Sequence, residues 1–284
     1  MNKKHSCDVS IVCANYNNGR YLDEFIYSVE QSSALPKELI IIDDGSTDNS
    51  MEILSKYELT YLSVIALEAN IGFANALNVG IKKATAKYIL RVDPDDLLEK
   101  RRIEKQYSFL EKNSDVGIVG SNALYFHSKN NQSLSGSNFP LSFYEIKRRY
   151  IFGEHGVLHG TVMGKSTLFK KFEYVQENVP AEDYEIFAKM IKHGVKFANL
   201  GERLTKVRIH KNSVSNFLHK STYIKMFLIR DTIFNKNTSW FKLNSTYYCN
   251  YFYRKYKYDR QAIRVIYLLI SIILRPDKLW RRLK

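Results

Sequence analysis

An α/β fold with a mixed, mainly parallel sheet flanked by helices, followed by a basic helical C-terminal extension, is the architecture this sequence predicts. Short β-branched runs alternate with segments whose apolar residues recur at helical spacing, the pattern of right-handed crossovers and a mainly parallel sheet. A cluster of polar residues follows each of the first four apolar runs. Open parallel sheets bind ligands beyond the carboxyl ends of their strands, so such clusters mark a site.

The elements read in order as follows. Val9–Cys13 is a first strand, Leu39–Asp43 a second, Leu62–Leu67 a third and Tyr88–Val92 a fourth. Helical spacing covers Tyr21–Gln31, Asp48–Tyr57 and Gly72–Ala84 between them. Lys100–Asn113 reads as another helix and Gly117–Phe126 as one or two strands. His127–Pro140 is rich in Ser, Asn and Gly, the composition of a surface loop. Ser142–Tyr150 and Lys165–Phe172 read as short helices, Val157–Val162 as a strand, and Ala181–His193 as a firmer helix ended by Gly194. Two short strands are expected at Lys196–Leu200 and Leu204–Ile209. Beyond Asn216 the pattern turns helical, basic and rich in Tyr, which divides the chain into 1–215 and 216–284.

With 284 residues and 45% hydrophobic content, the chain can bury a sizeable core, which excludes a disordered protein. Its net charge of +14 is uneven: Arg203–Lys284 holds 19 Lys and Arg against three acidic residues. That asymmetry points to an anionic surface met by the tail, with a solvated basic face as the plain alternative. Cys7, Cys13 and Cys249 form no metal-ligand spacing and read as reduced thiols. The N-terminal apolar run breaks at Asn15, unlike a secretory signal, and no stretch reaches the length of a membrane-spanning helix.

Asp93-Pro94-Asp95-Asp96 is the sharpest chemical feature. Three carboxylates in four residues repel one another unless a cation or solvent separates them. Hard divalent cations take oxygen ligands and share them with substrate phosphates. The competing reading is an acidic turn capping the next helix. Asp43-Asp44-Gly45-Ser46 ends an apolar strand, and a carboxylate there either accepts a base's ring N–H or caps a turn. Ala181-Glu182-Asp183-Tyr184 opens a helix, so its acids read as caps or as a general base. His159 and His210 are ambiguous as single histidines.

Taken together, the ordered set resembles the family-2 glycosyltransferases, inverting enzymes with the Rossmann-like GT-A fold. It runs through Val9-Ser10-Ile11-Val12 with Tyr16-Asn17, Ile42 to Asp48, and Asn70 to Gly80. It continues with Arg91 to Asp96, Arg102-Ile103 with Gln106, His159 to Met163, Glu182-Asp183-Tyr184 and Arg208-Ile209-His210. The resemblance spans about residues 8–215 and is nearest to members that build bacterial surface polysaccharides such as lipopolysaccharide, O-antigen or capsule. It implies that Asp44 holds the base with Tyr16 stacking near it. It implies that Asp93 and Asp95, with Asp96 beside them, bind the donor ribose and metal–diphosphate unit. By the same token Asp183 is the catalytic base, and Asp95 and His210 contact Mn²⁺ or Mg²⁺. The implied partners are a nucleotide-sugar donor, UDP-linked by preference, and a glycan or lipid-linked acceptor. Leu77 stands where many relatives carry a donor-contacting Arg, Lys100 where Pro is usual, and Pro94 where Ala or Ser is usual.

The tail lies outside this resemblance. Gln261–Leu274 mixes Arg264 with Ile, Val, Leu and Tyr, and Arg275, Lys278, Arg281, Arg282 and Lys284 follow it. An apolar helix flanked by cations suits an anionic membrane interface, here the cytoplasmic face of the inner membrane. Other activities fit less well. No glycine-rich loop follows the first strand, as a nucleotidyltransferase or a dinucleotide oxidoreductase would need. Asp96 replaces the Thr or Val that a haloacid-dehalogenase-type phosphatase carries after its second Asp. No nucleic-acid-binding module is recognisable, so no nucleic-acid partner is expected.

Overall fold

The structure is a computed structural model that describes residues 5–128, 132–210, 219–258 and 264–276. It divides into two compact units, residues 1–216 and 217–284. The expected boundary at 215/216 and the cations Lys278, Arg281, Arg282 and Lys284 fall outside the described residues.

The first unit holds a nine-stranded sheet among the described residues. Its strands are β1 (His5–Asn15), β2 (Ala34–Asp43), β3 (Leu62–Ala66), β4 (Tyr88–Arg91), β5 (Leu97–Leu98), β6 (Val116–His127), β7 (Ser133–Gly136), β8 (Met163–Lys165) and β9 (Lys196–Ile209). The order is β3-β2-β1-β4-β8-β6-β9-β5, with β7 added beside β6. β1 to β4 pair in parallel, as do β6 and β9, while β5, β7 and β8 run against their neighbours. The helices are α1 (Gly19–Glu30), α2 (Ser50–Leu54), α3 (Phe73–Lys83), α4 (Arg102–Lys112), α5 (Phe143–Ile151), α6 (Ser166–Phe172) and α7 (Glu182–Lys192). This mixed, mainly parallel sheet with flanking helices is the GT-A type of architecture.

Central strands β1 and β2 are buried along nearly their whole length, which is why they read as continuous apolar runs. Val9, Ile11, Cys13, Leu39 and Ile41 form one core face with Leu22, Phe25, Ile26 and Val29 of α1. Cys7, Cys13 and Cys249 are buried and none is in a disulfide among the described residues.

Three expectations are corrected. Val157–Val162 is not a strand; His159–Thr161 is a 3₁₀ turn, and the strand begins at Met163. Buried polar anchors override its β-branched composition. The Thr161 hydroxyl donates to Ser121 O and Leu158 O, and Gln106 Nε2 donates to Thr161 O at 2.8 Å. Lys196–Leu200 and Leu204–Ile209 are one strand, because β6 pairs with β9 from Val116–Lys196 to His127–Ile209 across irregular steps in register. The polar segment 127–140 is not all loop, since β7 pairs with β6 through Leu124–Gly136 and Tyr125–Ser135.

The second unit is helical: α8 (Lys220–Phe234), α9 (Trp240–Tyr258) and α10 (Arg264–Leu274). α9 and α10 meet through stacked Phe252 and Tyr267 rings and through Arg275 Nη1, which donates to Thr246 Oγ1 at 2.7 Å. No helix among the described residues is long and apolar enough to cross a membrane.

Candidate active site

The parallel registers align Asn15 with Asp43, Asp43 with Ala66, and Val12 with Arg91, so the carboxyl ends of β1 to β4 form one edge. Each polar cluster expected after a strand sits there. The loops after β1 and β2 clasp each other. Asn17 Oδ1 accepts from Thr47 N at 2.8 Å, and Asn17 N donates to Ser46 Oγ at 2.9 Å. Tyr16, between them, keeps nearly half its surface exposed. Asp43 is taken up internally by Asn15 Nδ2 (2.7 Å) and Ser46 N (2.9 Å).

Asp44 is buried and accepts from the backbone N–H groups of Ile71 (2.8 Å) and Gly72 (3.1 Å). It therefore ties the end of β2 to the loop entering α3. Gly72 holds φ at 94°, a left-handed conformation that favours glycine. Phe73 follows, with the Arg91 guanidinium 5.1 Å from its ring centroid. Leu77, the departure noted above, is wholly buried in α3.

Arg91 forms an ion pair with Asp93. The two residues alternate along an extended chain, so they share a face; that spacing was a legible signal for a partner of Asp93. Burial alone would depress Arg91, but Asp93 holds it above its ordinary value. Beneath it, Arg102 Nη2 donates to Arg91 O at 2.8 Å, and Arg102 Nε donates to Gln106 Oε1. Gln106 Nε2 reaches both Val119 O and Thr161 O. These buried α4 side chains thus join the end of β4 to the 3₁₀ turn. At Gly160 in that turn, an added Cβ would lie 3.3 to 3.5 Å from Asp93 Oδ2, Asp96 Oδ2 and Arg91 Nη1. Glycine lets the turn approach the acids closely.

Asp93, Asp95 and Asp96 converge, with one carboxylate oxygen of each within 4.8 Å of the others. β5 then brings a distant strand to them. Leu97 pairs with Lys206 in antiparallel register, and one further pair of steps sets Asp95 opposite Arg208. Arg208 N donates to Asp96 Oδ1 (2.9 Å), Arg208 Nε to Asp95 O (2.8 Å), and Arg208 Nη2 pairs with Glu24. Its guanidinium lies over the rings of Tyr21 and Phe126. His210 Nε2 lies 2.9 Å from Asp95 Oδ2. Burial, then Asp95 and Asp93, push the Asp96 carboxyl well above the usual range. A hard divalent cation would relieve that repulsion, so three carboxylates and an imidazole suit Mn²⁺ or Mg²⁺.

The start of α7 completes the edge. Asp183 Oδ1 accepts from Tyr184 N at 2.7 Å, and Oδ2 lies 3.5 Å from His155 Nδ1. Beside it, burial and then the Asp183 charge push Glu182 up to about 8, with further influence from Arg91 and Asp93. Tyr174, buried next to this group, shares a 2.7 Å hydrogen bond with His159 Nε2. Burial holds His159 well below its ordinary value, so it is a neutral packing partner of Phe73 and Phe187. The segment before α7 is anchored to α3: Gln176 Oε1 accepts from Ala74 N (2.9 Å), and Asn78 bonds the Tyr174 backbone. Tyr174, Gln176 and His155 belong to no motif and carried no signal in the sequence. A cavity of 450 Å³ lies between α3 and residues 173–177, lined by Asn75, Asn78, Lys82, Glu173 and Gln176 among others; none of the clustered aspartates lines it.

Residues 10–172 match Glycosyl transferase family 2. The chain belongs to that family. The amylovoran biosynthesis glycosyltransferase AmsE of Erwinia amylovora is 26% identical over 210 residues, covering 72% of this chain and 78% of AmsE. S. aureus TarS 1–349 in complex with UDP-GlcNAc superposes with a TM-score of 0.64 at 20% identity, covering 95% of this chain and 80% of that one. The mannosyltransferase PcManGT of Pyrobaculum calidifontis, in complex with GDP-Man and Mn²⁺, gives 0.58 at 15% identity, covering 96% and 75%. This family-2 glycosyltransferase therefore has relatives in bacterial polysaccharide biosynthesis.

The Glu182–Asp183 pair makes the glycosyltransferase's stability depend on pH. Glu182 keeps its proton to about 8 in the folded chain but loses it near 4.5 when unfolded. The folded state thus binds more protons between those values, and stability falls as pH rises through that window. Glu182→Gln removes the cost. The variant is expected to match the parent at pH 4.5 and to exceed it by a few kcal/mol at pH 8. Urea titrations at both pH values check this; an equal difference at both would refute it.

Proposed function

We propose that this glycosyltransferase moves a sugar from a nucleoside-diphosphate donor, UDP-linked by preference, onto a hydroxyl of a glycan or lipid-linked saccharide, inverting the anomeric carbon. The setting we assign is surface polysaccharide assembly, as lipopolysaccharide, O-antigen or capsule, on the cytoplasmic face of the inner membrane. One observation carries the reading: Asp93, Asp95 and Asp96 converge beside His210, and Glu182–Asp183 shares their electrostatic field. UDP-GlcNAc bound to TarS, and GDP-Man with Mn²⁺ bound to PcManGT, support a nucleotide-sugar donor and a divalent ion.

In this reading Tyr16 stacks near the base, and Asp44 shapes the base pocket through the 71–72 backbone and offers its remaining lone pairs to a ring N–H. Asp93, Asp95 and Asp96 take the ribose and diphosphate end, and Asp95 and His210 hold the metal. Mn²⁺ or Mg²⁺, when bound, neutralises charge growing on the departing diphosphate. Asp183 accepts the acceptor's hydroxyl proton as that oxygen bonds C1 and the C1–phosphate oxygen bond breaks. An α-linked donor then yields a β-glycoside. A panel of nucleotide sugars with Mn²⁺, Mg²⁺ or EDTA, followed by linkage analysis of the product, tests the reading. Metal-independent transfer, or retention at C1, counts against it.

Residues 1–215 supply this catalysis, and 216–284 supply contact with anionic lipid. On α10, Val265, Ile266, Leu269 and Ile273 are all more than half exposed and fall within one stripe about 100° wide. Trp240 and Phe241 at the start of α9 are three-quarters exposed. Apolar side chains presented by a strongly basic segment match an anionic interface. Replacing Ile266, Leu269 and Ile273 together by Ser is expected to abolish sedimentation with vesicles containing phosphatidylglycerol. Undiminished sedimentation would remove the stripe from this role.

A further inference from the structure

We infer that His155 is the proton outlet of the reaction, taking from Asp183 the proton that leaves the acceptor hydroxyl. The inference rests on the assignment of Asp183 as base and extends it to a residue outside every motif in the sequence.

The geometry is specific. Asp183 Oδ1 is already engaged by Tyr184 N, which leaves Oδ2 as the oxygen for proton transfer. His155 Nδ1 lies 3.5 Å from that oxygen. Such contacts are commonly long before substrate binds and shorten in the reacting complex. Two aromatic rings hold the imidazole edge-on: Tyr184 at 5.5 Å between centroids and Tyr150 at 6.4 Å. Tyr184 Oη in turn donates to Tyr150 O, so the clamp is itself fixed. The His155 side chain is 38% exposed, against 20% for Asp183, so the imidazole is the more open of the two to water.

The other titratable groups around Asp183 are unsuited to the task. Glu182 is pushed up to about 8 and already holds a proton at neutral pH. Burial, then the Asp183 charge, push the Tyr150 phenol well up. His159 is buried, held neutral and bonded to Tyr174. His155 remains, with one nitrogen toward Asp183 and its imidazole partly open to solvent.

The proton balance is simple. The acceptor O–H bond breaks as its oxygen bonds C1, and the proton passes to Asp183 Oδ2. That proton moves to His155 Nδ1, the imidazolium releases its Nε2 proton to water, and exchange with water returns the ring to the Nε2–H tautomer. Asp183 is then ionised for the next turnover.

His155→Ala and His155→Asn are compared by steady-state kcat and by donor KM, with Asp183→Asn as reference. Asparagine can place a donor near the Nδ1 position but cannot carry a proton onward. Both His155 variants are expected to lose about 10- to 100-fold in kcat with donor KM unchanged. Added imidazole is expected to restore His155→Ala at least about tenfold and to leave His155→Asn unchanged. Thermal melting confirms that both variants fold. Full activity of His155→Asn, or failure of imidazole to rescue a folded His155→Ala, overturns the relay. If Asp183→Asn itself keeps turnover, the assignment of the base fails first; if it is dead while His155→Asn is fully active, only the relay fails.

Discussion

Asp183→Asn is expected to lower the rate of transfer by about 10³-fold while leaving nucleotide-sugar affinity within about twofold. The amide keeps the size of the carboxylate and can still accept from Tyr184 N, so the start of α7 is preserved. It cannot take a proton from the attacking hydroxyl. Removing an interaction made only in the transition state lowers kcat and kcat/KM together and spares ground-state binding. Donor titration by calorimetry, beside single-turnover transfer, separates the two. Turnover equal to the parent's would strip Asp183 of its role and leave the acid pair as a helix-start device. Glu182→Gln provides the contrast. Its carboxyl already holds a proton at pH 7, so an amide there is expected to cost little activity at that pH.

Asp95→Ala is expected to weaken Mn²⁺-dependent binding of UDP by at least about 100-fold, and His210→Ala by about 10- to 100-fold. Asp95 Oδ2 and His210 Nε2 are 2.9 Å apart, so each orients the other. Residues in contact couple energetically, so the double variant is expected to lose less than the product of the single losses. Binding measured with Mn²⁺ and with EDTA gives the metal-dependent part. Affinity for UDP that ignores EDTA, or that survives Asp95→Ala intact, would sink the ligand assignment. Arg208→Met probes the frame behind them, because Arg208 joins Asp95, Asp96 and Glu24.

Much of the fold was legible because buried parallel strands announce themselves as apolar runs and amphipathic helices as periodic ones. β4, α1, α3 and α7 lie within about two residues of where their patterns predict, and β1 and β2 cover their predicted runs but begin earlier, at His5 and Ala34. Failures came where contacts between distant residues override local pattern. Met163–Lys165 takes the strand expected at Val157–Val162, because Gln106 and Ser121 hold Thr161 in a 3₁₀ turn. β7 forms from Ser133–Gly136, a polar segment with little intrinsic strand preference, because the long β6 offers it an edge. β5 is two residues long, too short to leave a periodic signal.

The site divides along the same line. Local chemistry alone exposed Asp93-Pro94-Asp95-Asp96, since clustered like charges are costly without a counter-charge, and strand-end polarity exposed Asn15–Asn17 and Asp43–Ser46. Membership of the glycosyltransferase family was likewise written in ordered short motifs that need no coordinates to read. Tertiary structure alone decided that Asp44 grips the 71–72 backbone and that Glu182 rather than a solvent-facing acid holds a proton beside Asp183. It alone brought His155 to Asp183, and it set His210, which the resemblance had placed at the metal, 2.9 Å from Asp95 across 115 positions. The reason is physical. A motif records which groups neighbour each other along the chain, whereas proton affinity and ion pairing depend on burial and on charges a few ångströms away, which only folding supplies.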